Sequence, residues 1–579
     1  MVSQQGAREE NGPLEEGAPP APSEGPLDRL QRMTGNFGLY QVRVYLLTQL
    51  GFLSVTGSLL APMYDGLIPD ALNCSADPEI TEDRLENLTE HGLLEFRSLV
   101  LDLGLYCGTE YVGPVHFPTL LSFLVMTGGM LGAMINGLLS DRFGRKPFLT
   151  LSYFLTFGTN ALLAAVGDTS PYAAAAITFF VGCSAGAFMV TSFVTLFESI
   201  GTQFYRLAAA SFNGLAYGYL SMAVMGYFTA HWRYYHLCLA VVALLLAFPN
   251  LFFLDESCRW LMQHGKTAGI NEVSYLRHWL QGINRARKAL STFERIAKIN
   301  GKDVSKNELM IAIAGSEKPT ASRETESAPL RGAQPGESGA LQEVVPRSYG
   351  YLDLVRYPSV LLPLIGLAFS FFSSAVITYG IFFGLDKVAG NDFVNSFLMG
   401  LFKATTGVIP FLVGKWVGRK TIMLIAVAVV CASCWSVVAL HILGLSKSQL
   451  LTFCALLGAG AIDPIWRVNH LYSIELFPTP VRSMARAVCD ISSRFGSLIA
   501  PWVAYLRIYQ ISYPYIVFGF LVLLHGLMGL CLLPETKGRP MPEKIPELTN
   551  KGQPKKKNKY DALIEKRDMD VINEGGARS

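Results

Sequence analysis

Charge is scarce in this chain. Asp, Glu, Lys and Arg make up 16% of its 579 residues, against about 25% in an ordinary soluble domain. A surface wholly in water is therefore excluded, and much of the outside must face lipid. The deficit accompanies 51% apolar residues and a mean hydropathy of +0.33. Net charge is only +3, too small to argue for a nucleic-acid partner. The ten cysteines are scattered, with no Cys/His set at metal spacing, and neither a metal nor another cofactor is expected. Cys183, Cys238, Cys431, Cys434, Cys454, Cys489 and Cys531 lie in apolar runs and read as small core residues. No phosphate loop of Walker form occurs. The protein is not expected to be an enzyme, and any transport would be secondary. The first 30 residues hold no apolar run and are rich in Pro, Gly and Glu, so 1–34 is expected to be a disordered tail rather than a signal peptide.

What is abundant is the long apolar run. A helix crosses a bilayer with about 20 mostly apolar residues. Twelve such runs can be placed: 41–62, 117–139, 148–167, 172–196, 208–230, 235–254, 359–384, 392–413, 421–443, 449–472, 484–506 and 514–533. Basic loops stay in the cytosol. Arg142, Arg145 and Lys146 follow the second run, Arg206 the fourth, Lys415, Arg419 and Lys420 the eighth, and Arg482 the tenth. Both termini are therefore expected to be cytosolic. Loop 63–116 is expected outside, with glycosylation sequons at Asn73 and Asn87. Cys74 and Cys107 fall in this loop and could form a disulfide there. Loop 255–358 is expected to combine short helices with a disordered stretch. The segment 536–579 reads as a polar tail whose lysines 555–557 and 559 would either meet anionic lipid or be solvated.

The runs repeat. Gly144-Arg145-Lys146 returns as Gly418-Arg419-Lys420, Glu198 with Arg206 as Glu475 with Arg482, and Glu256 as Glu535, at offsets of 274, 277 and 279. The spacing implies two copies of one helical half, 35–254 and 359–535. Duplicated helical halves are the build of a secondary transporter, with its substrate site between them.

Several segments resemble a known family. Gly137-Leu-Leu-Ser-Asp141-Arg142-Phe-Gly144-Arg145-Lys146 is similar to the loop between helices 2 and 3 of the major facilitator superfamily. Gly35-Asn-Phe-Gly38-Leu-Tyr40-Gln41, Asp255-Glu-Ser-Cys-Arg259-Trp260-Leu261, Tyr351-Leu-Asp353-Leu, Glu475-Leu-Phe-Pro478-Thr479-Pro-Val-Arg482 and Leu533-Pro534-Glu535-Thr536-Lys537-Gly538 resemble its organic cation, anion and carnitine transporters. The resemblance implies an all-α membrane protein of twelve transmembrane helices in the major facilitator fold, two six-helix bundles. It implies transport of small organic ions at the plasma membrane by alternating access. It also implies that Asp141, Arg142, Arg145 and Glu198, with Glu475, Arg482 and Glu535, latch the halves on the cytosolic side. Lys415 stands where the family has an acid and Thr178 where it has Arg. These departures keep open a non-transporting receptor or scaffold, and an organic cation carrier is a further alternative.

Charges inside the runs are the sharper signal, because one at a helix centre costs about 2.5–3.5 kcal/mol on insertion scales. Arg486, Asp490 and Arg494 are spaced by four on one helix face, and Asp490 before Arg494 suits an i,i+4 pair. Arg494 matches a position where anion and carnitine members of the resembling family carry Arg. A guanidinium in a cavity would hold a carboxylate bidentately, which favours anionic or zwitterionic substrates. Lys403 reads as a substrate contact, or as a partner of Asp490 or Asp463. Asp463, four before Arg467, is either a coupling carboxylate or an ion pair. Asp490 is a second coupling candidate. Tyr227, Tyr379 and Trp466 match cavity aromatics of the family and could hold an apolar body. Asn136 and Asn213 are buried amides that need partners, most simply a neighbouring helix.

Overall fold

The computed structural model describes residues 30–68, 95–105, 111–200, 205–261, 288–304, 308, 351–384, 391–414, 416–445, 448–478 and 481–537, apart from 32, 36, 113, 206, 207 and 210. Asn73, Asn87, Cys74, Cys107, Arg206, Lys415, residues 1–29 of the N-terminal segment and residues 538–579 of the C-terminal one lie outside these residues. The chain divides into two compact units, one of Met1–Val42, Glu198–Thr202 and Cys258–Gly336, the other of Arg43–Phe197, Gln203–Ser257 and Glu337–Ser579.

The elements are almost all helical. They are α1 (Leu39–Gln49), α2 (Phe52–Leu60), α3 (Pro62–Asp65), α4 (Leu99–Asp102), the strands β1 (Tyr111–Val112) and β2 (Val115–His116), then α5 (Phe117–Phe143), α6 (Arg145–Val166), α7 (Pro171–Ser199), α8 (Gly214–Thr229) and α9 (Trp232–Phe253). The second half holds α10 (Tyr351–Arg356), α11 (Pro358–Phe382), α12 (Asp392–Val413), α13 (Arg419–Ile442), α14 (Gln449–Glu475), α15 (Arg482–Tyr505) and α16 (Ser512–Leu532). Among the described residues ten helices are long and apolar enough to cross a membrane, α1–α3 counting as one. The other two crossings are α8, of 16 residues, and α15, which carries Arg482, Arg486, Asp490 and Arg494. The twelve-helix expectation stands. Helices α5 and α14 outlast their apolar runs because the polar residues at their ends stay helical.

Two features set the local architecture of the larger unit. Helices α5 and α7 meet backbone to backbone. A Cβ at Gly132 would lie 2.0 Å from the Cys183 carbonyl oxygen, and one at Gly186 would lie 2.0 Å from that of Gly129. Small residues from both helices permit the approach, and in lipid such packing holds helices together. Asn136 adds a donor from α5, its amide reaching the Ala187 carbonyl at 2.8 Å and the Thr191 hydroxyl. Asn213 corrects its expected role. It stands outside the helix as the N-cap of α8, its side chain accepting from Leu215 N at 2.7 Å. A short polar side chain satisfies an otherwise orphaned N–H there.

In the smaller unit Asn300 explains the Gly-x-Phe-Gly segment. Its Oδ1 accepts from Tyr40 N at 3.0 Å, and its amide donates to the Thr34 carbonyl and to Gln41. A Cβ at Gly38 would meet Asn300 Oδ1 at 2.4 Å. Gln31 links Arg259, whose guanidinium it accepts from at 2.9 Å, to the Glu198 backbone carbonyl at 2.9 Å.

The packing of α5 on α7 is testable. Gly132→Val should destabilise the detergent-solubilised chain by more than the roughly 1–3 kcal/mol usual for overpacking, since a backbone must move, and its melting temperature should fall accordingly. Gly158→Ala, with nothing within 4 Å of its Cβ, should melt like the parent. Equal melting of all three would show that the close approach is absent.

Candidate functional site

Three groups of polar side chains stand out in the larger unit. The first lies at the end carrying Gly144 and Gly418. Helix α6 starts at Arg145, and its first N–H groups lack partners inside the helix. Glu256 supplies one, its Oε1 accepting from Arg145 N at 2.6 Å and Lys146 N at 3.2 Å. Glu535 does the same for α13, accepting from Arg419 N at 2.9 Å and Lys420 N at 3.1 Å. A carboxylate at a helix N-terminus is favoured by the dipole as well as by the bonds. Gly144, at φ +119°, and Gly418 leave room, since a Cβ at either would strike that glutamate at 2.6 or 2.1 Å. The repeated Gly-Arg-Lys and Glu marks are thus two halves of one joint. Glu256, omitted from the expected latch set, belongs to it as fully as Glu535. Around the joints, Asp141 pairs with Arg145 and Arg142 lies over the Phe143 ring. Glu475 accepts from Thr536 Oγ1 at 2.7 Å and stands 3.6 Å from Arg419. Arg482 donates to the Phe477 carbonyl at 3.1 Å. Burial works to raise the Glu535 pKa, but hydrogen bonds from the N–H groups of Lys537, Arg419, Lys420 and Thr536 outweigh it and hold the carboxyl below its ordinary value.

The second group is central. Lys403 of α12 and Arg467 of α14 both hold Asp463, at 3.3 Å and 2.6 Å. The three residues are 2%, 4% and 4% exposed, taking Lys403, Asp463 and Arg467 in turn. Among the described residues two cations share one carboxylate, which leaves one positive charge without an acid, and Arg467 Nε has no hydrogen-bond partner. Tyr219 of α8 brings the first half to this cluster, its ring 5.4 Å from Lys403 Nζ. Neither Tyr219 nor Arg467 was singled out as a site residue. The repeat alone could have suggested Tyr219, as an aromatic on the helix that faces α12.

Arg494 corrects its expected pairing. Asp490 is held by Arg486, at 3.0 Å, and not by Arg494. Both neighbours four residues away on α15 could have reached that acid, and Arg486 is fixed further by a bond to Ser473 at 2.8 Å. Arg494 is half-buried, forms no ion pair among the described residues, and lies close enough to Tyr379 to interact with its phenol. Trp466 donates to Thr378 at 3.0 Å and packs on Phe371 and His470. Tyr227 is 63% exposed and packs on Phe228 and Phe393.

The third group closes the opposite end. Phe393 of α12 meets Tyr64, at 5.1 Å between centroids, and Phe96 at 5.8 Å. Phe123 meets Trp502, the Tyr111 and Tyr505 hydroxyls lie 3.3 Å apart, and Asn391 donates to Glu95. Each contact joins one half to the other.

Two chemical spellings are explained by packing. Gly182-Cys183-Ser184-Ala185-Gly186 reads as Gly-x-Ser-x-Gly but lies within α7, with Ser184 bonded to Val181 O, and no strand-to-helix elbow presents the serine. Cys431-Ala432-Ser433-Cys434 lies within α13. No group of three or more His, Cys, Asp and Glu that could hold a metal exists among the described residues.

Twelve helices in two repeated halves, joined by matching charged turns, define a membrane carrier fold. A sequence model of the Major Facilitator Superfamily matches residues 98–468, and the chain belongs to that superfamily. It is 26% identical over 491 residues to organic anion transporter 3 of Mus musculus, covering 83% of this chain and 80% of the relative. It is 26% identical over 471 residues to an organic cation transporter-like protein of Drosophila melanogaster, covering 81% and 75%. The partially occluded, inward-open xylose transporter XylE from E. coli superposes with a TM-score of 0.55 at 16% identity, over 86% of this chain and 99% of that one.

Two outcomes follow from these geometries. Glu535→Gln should remove a helix-terminal charge worth about 0.3–1 kcal/mol. The depressed carboxyl stabilises the fold above its unfolded value, near pH 4.3, and that contribution is lost as pH falls below it. The parent's melting temperature should therefore drop more than the variant's on acidification from pH 5 to 3, and parallel profiles would refute the joint. At the centre, Asp463→Asn leaves two cations uncompensated and should destabilise by about 3–5 kcal/mol. Lys403→Met keeps one matched pair and should fold. Equal expression and melting of these two variants would contradict the shared-carboxylate geometry.

Proposed function

We propose that the chain is a secondary transporter of small organic ions, anionic or zwitterionic before cationic, which exposes a central site alternately at its two ends. The observation that carries this reading is the positive excess at the middle of the helices: among the described residues Lys403 and Arg467 stand against Asp463 alone, and Arg494, half-buried near Tyr379, is outside any described ion pair. A carboxylate or sulfate would supply the missing negative charge and bind a guanidinium through two bonds. Tyr379, Trp466 and Tyr219 would hold the apolar body. The similarity to relatives named for organic anion and cation transport supports the substrate class. Tyr227 we assign to closure beside Phe393.

In this reading the end with Gly144 and Gly418 faces the cytosol, as its basic residues suggest, and both termini lie on that side of a plasma membrane. Asp141, Arg142, Arg145, Glu198, Glu475, Arg482 and Glu535, with Glu256, govern opening at that end. The segments 35–254 and 359–535 are the two rocking halves, and 255–358 is the loop between them. Asp463, buried between cations, is the better coupling candidate than the exposed Asp490.

The test is uptake by cells expressing the chain, with a labelled aromatic carboxylate and a labelled quaternary amine as probes. Arg494→Ala should cut carboxylate uptake at least tenfold at unchanged surface abundance. Undiminished uptake removes Arg494 from the site, preference for the amine reverses the assigned substrate charge, and flux of neither by the parent favours a receptor or scaffold.

A further inference from the structure

The first half buries a second acid, Asp65, the last residue of α3. It faces His236 of α9, both of its oxygens lying 3.2 Å from His236 Nε2. Both residues are 0% exposed. The other ring nitrogen, Nδ1, lies 2.9 Å from Asn160 Oδ1 of α6. The Asn160 orientation is fixed by chemistry. Its amide nitrogen lies 2.8 Å from the Thr156 carbonyl, which can only accept, and 2.9 Å from the Ser58 hydroxyl. The oxygen is therefore the atom turned towards His236.

Protons can now be counted. A neutral imidazole carries one N–H. With that hydrogen on Nδ1 the bond to Asn160 is made, but a nitrogen lone pair then confronts the Asp65 carboxylate. With it on Nε2 the bond to Asp65 is made, but a lone pair confronts the Asn160 oxygen. Either arrangement leaves two acceptors in contact, at residues shut off from bulk solvent. One further proton satisfies both contacts, as imidazolium with carboxylate or as imidazole with carboxylic acid, and makes the pair electrically neutral. A net negative charge would otherwise remain in a low-dielectric interior, where it costs several kcal/mol.

We propose that Asp65 and His236 together form a proton-binding site, which holds one proton beyond those of a neutral imidazole and a carboxylate. The surrounding groups do not supply the charge themselves. Tyr235, on α9, and Tyr64, beside Asp65, present phenols. Asp102 of α4 is engaged by Arg97 at 2.5 Å and by the Trp232 indole at 2.7 Å, with His231 at 3.9 Å. Asp392 of α12 lies close enough to Tyr64 to interact with its phenol. Tyr64 and Tyr235 also pack on Phe96, and Tyr64 on Phe393 from the other half. Water reaches the pair when those rings part, so proton exchange is tied to opening of this end. The site stands whatever the substrate. If the carrier reading holds, it names the proton as the coupling ion.

The test is the pH dependence of unfolding of the purified full-length chain, the parent against Asp65→Asn. In the variant an amide N–H donates to neutral His236, and no added proton is needed. The folded parent holds a proton that an unfolded histidine sheds above about pH 6.5. The stability it brings is complete below that pH and is lost on going higher. Above about pH 6.5 the parent's folding equilibrium should weaken by up to about tenfold per pH unit relative to the variant, the slope for one proton. Parallel profiles would overturn the proposal. If Asp65→Asn fails to fold, the double variant D65N/H236Q, with two neutral amides in contact, serves as the reference, under the same two outcomes. Neither result depends on finding a transported substrate.

Discussion

A charge enclosed by apolar helices has no water to solvate it, and this constraint organises the polar groups of the larger unit. Each buried or half-buried carboxylate described here is answered by something positive: Asp463 by Lys403 and Arg467, Glu256 and Glu535 by helix N-termini, Asp102 by Arg97. The rule holds for sign as well as for presence. In the readings proposed above, a proton balances the charge where acids outnumber cations, as at Asp65 and His236, and an anion from outside does so where cations outnumber acids, as at Asp463.

The two halves share a scaffold but divide the chemistry. Both close with a glutamate at the N-terminus of a helix. Inside, the first half carries a single acid facing a histidine, and the second carries the cationic excess. Among the described residues its own buried histidine, His525, bonds to the Ser370 and Ser373 hydroxyls. Duplication supplies matching frames, and divergence gives each side a different set of buried charges. Tyr219 and Phe393 are the residues through which one half's chemistry is exposed to the other's movement.

The architecture was legible because lipid imposes a length and an apolar content that few other environments demand. The edges were less so. Helices α5 and α14 run on into polar residues, since leaving the membrane does not end a helix. Partners four residues apart were legible as possibilities only. Asp490 had two equivalent neighbours, and contacts from α14 decided between them. Partners on different helices are legible only where two charges stand inside apolar runs: Lys403 reads as a partner of Asp490 or Asp463, and the structure selects Asp463, whereas Asp65 and His236 carry no such signal. Lys403 and Asp463 are 60 positions apart, and Asp65 and His236 are 171 apart. The usable signal was a lone acid at the end of an apolar run, which must find a partner somewhere. Asn213 is the opposite case: its place in an apolar run reads as helix interior, yet it stands at the start of α8.

Each glutamate that seals a half comes directly after the last helix of that half, Glu256 beyond α9 and Glu535 beyond α16. During synthesis a half therefore cannot be locked until all six of its crossings have been made. The first half can be locked while the second is still on the ribosome. A chain cut short just before Glu535 would keep every crossing and still leave α13 unfastened, a defect that membrane quality control could read at the surface of the bilayer.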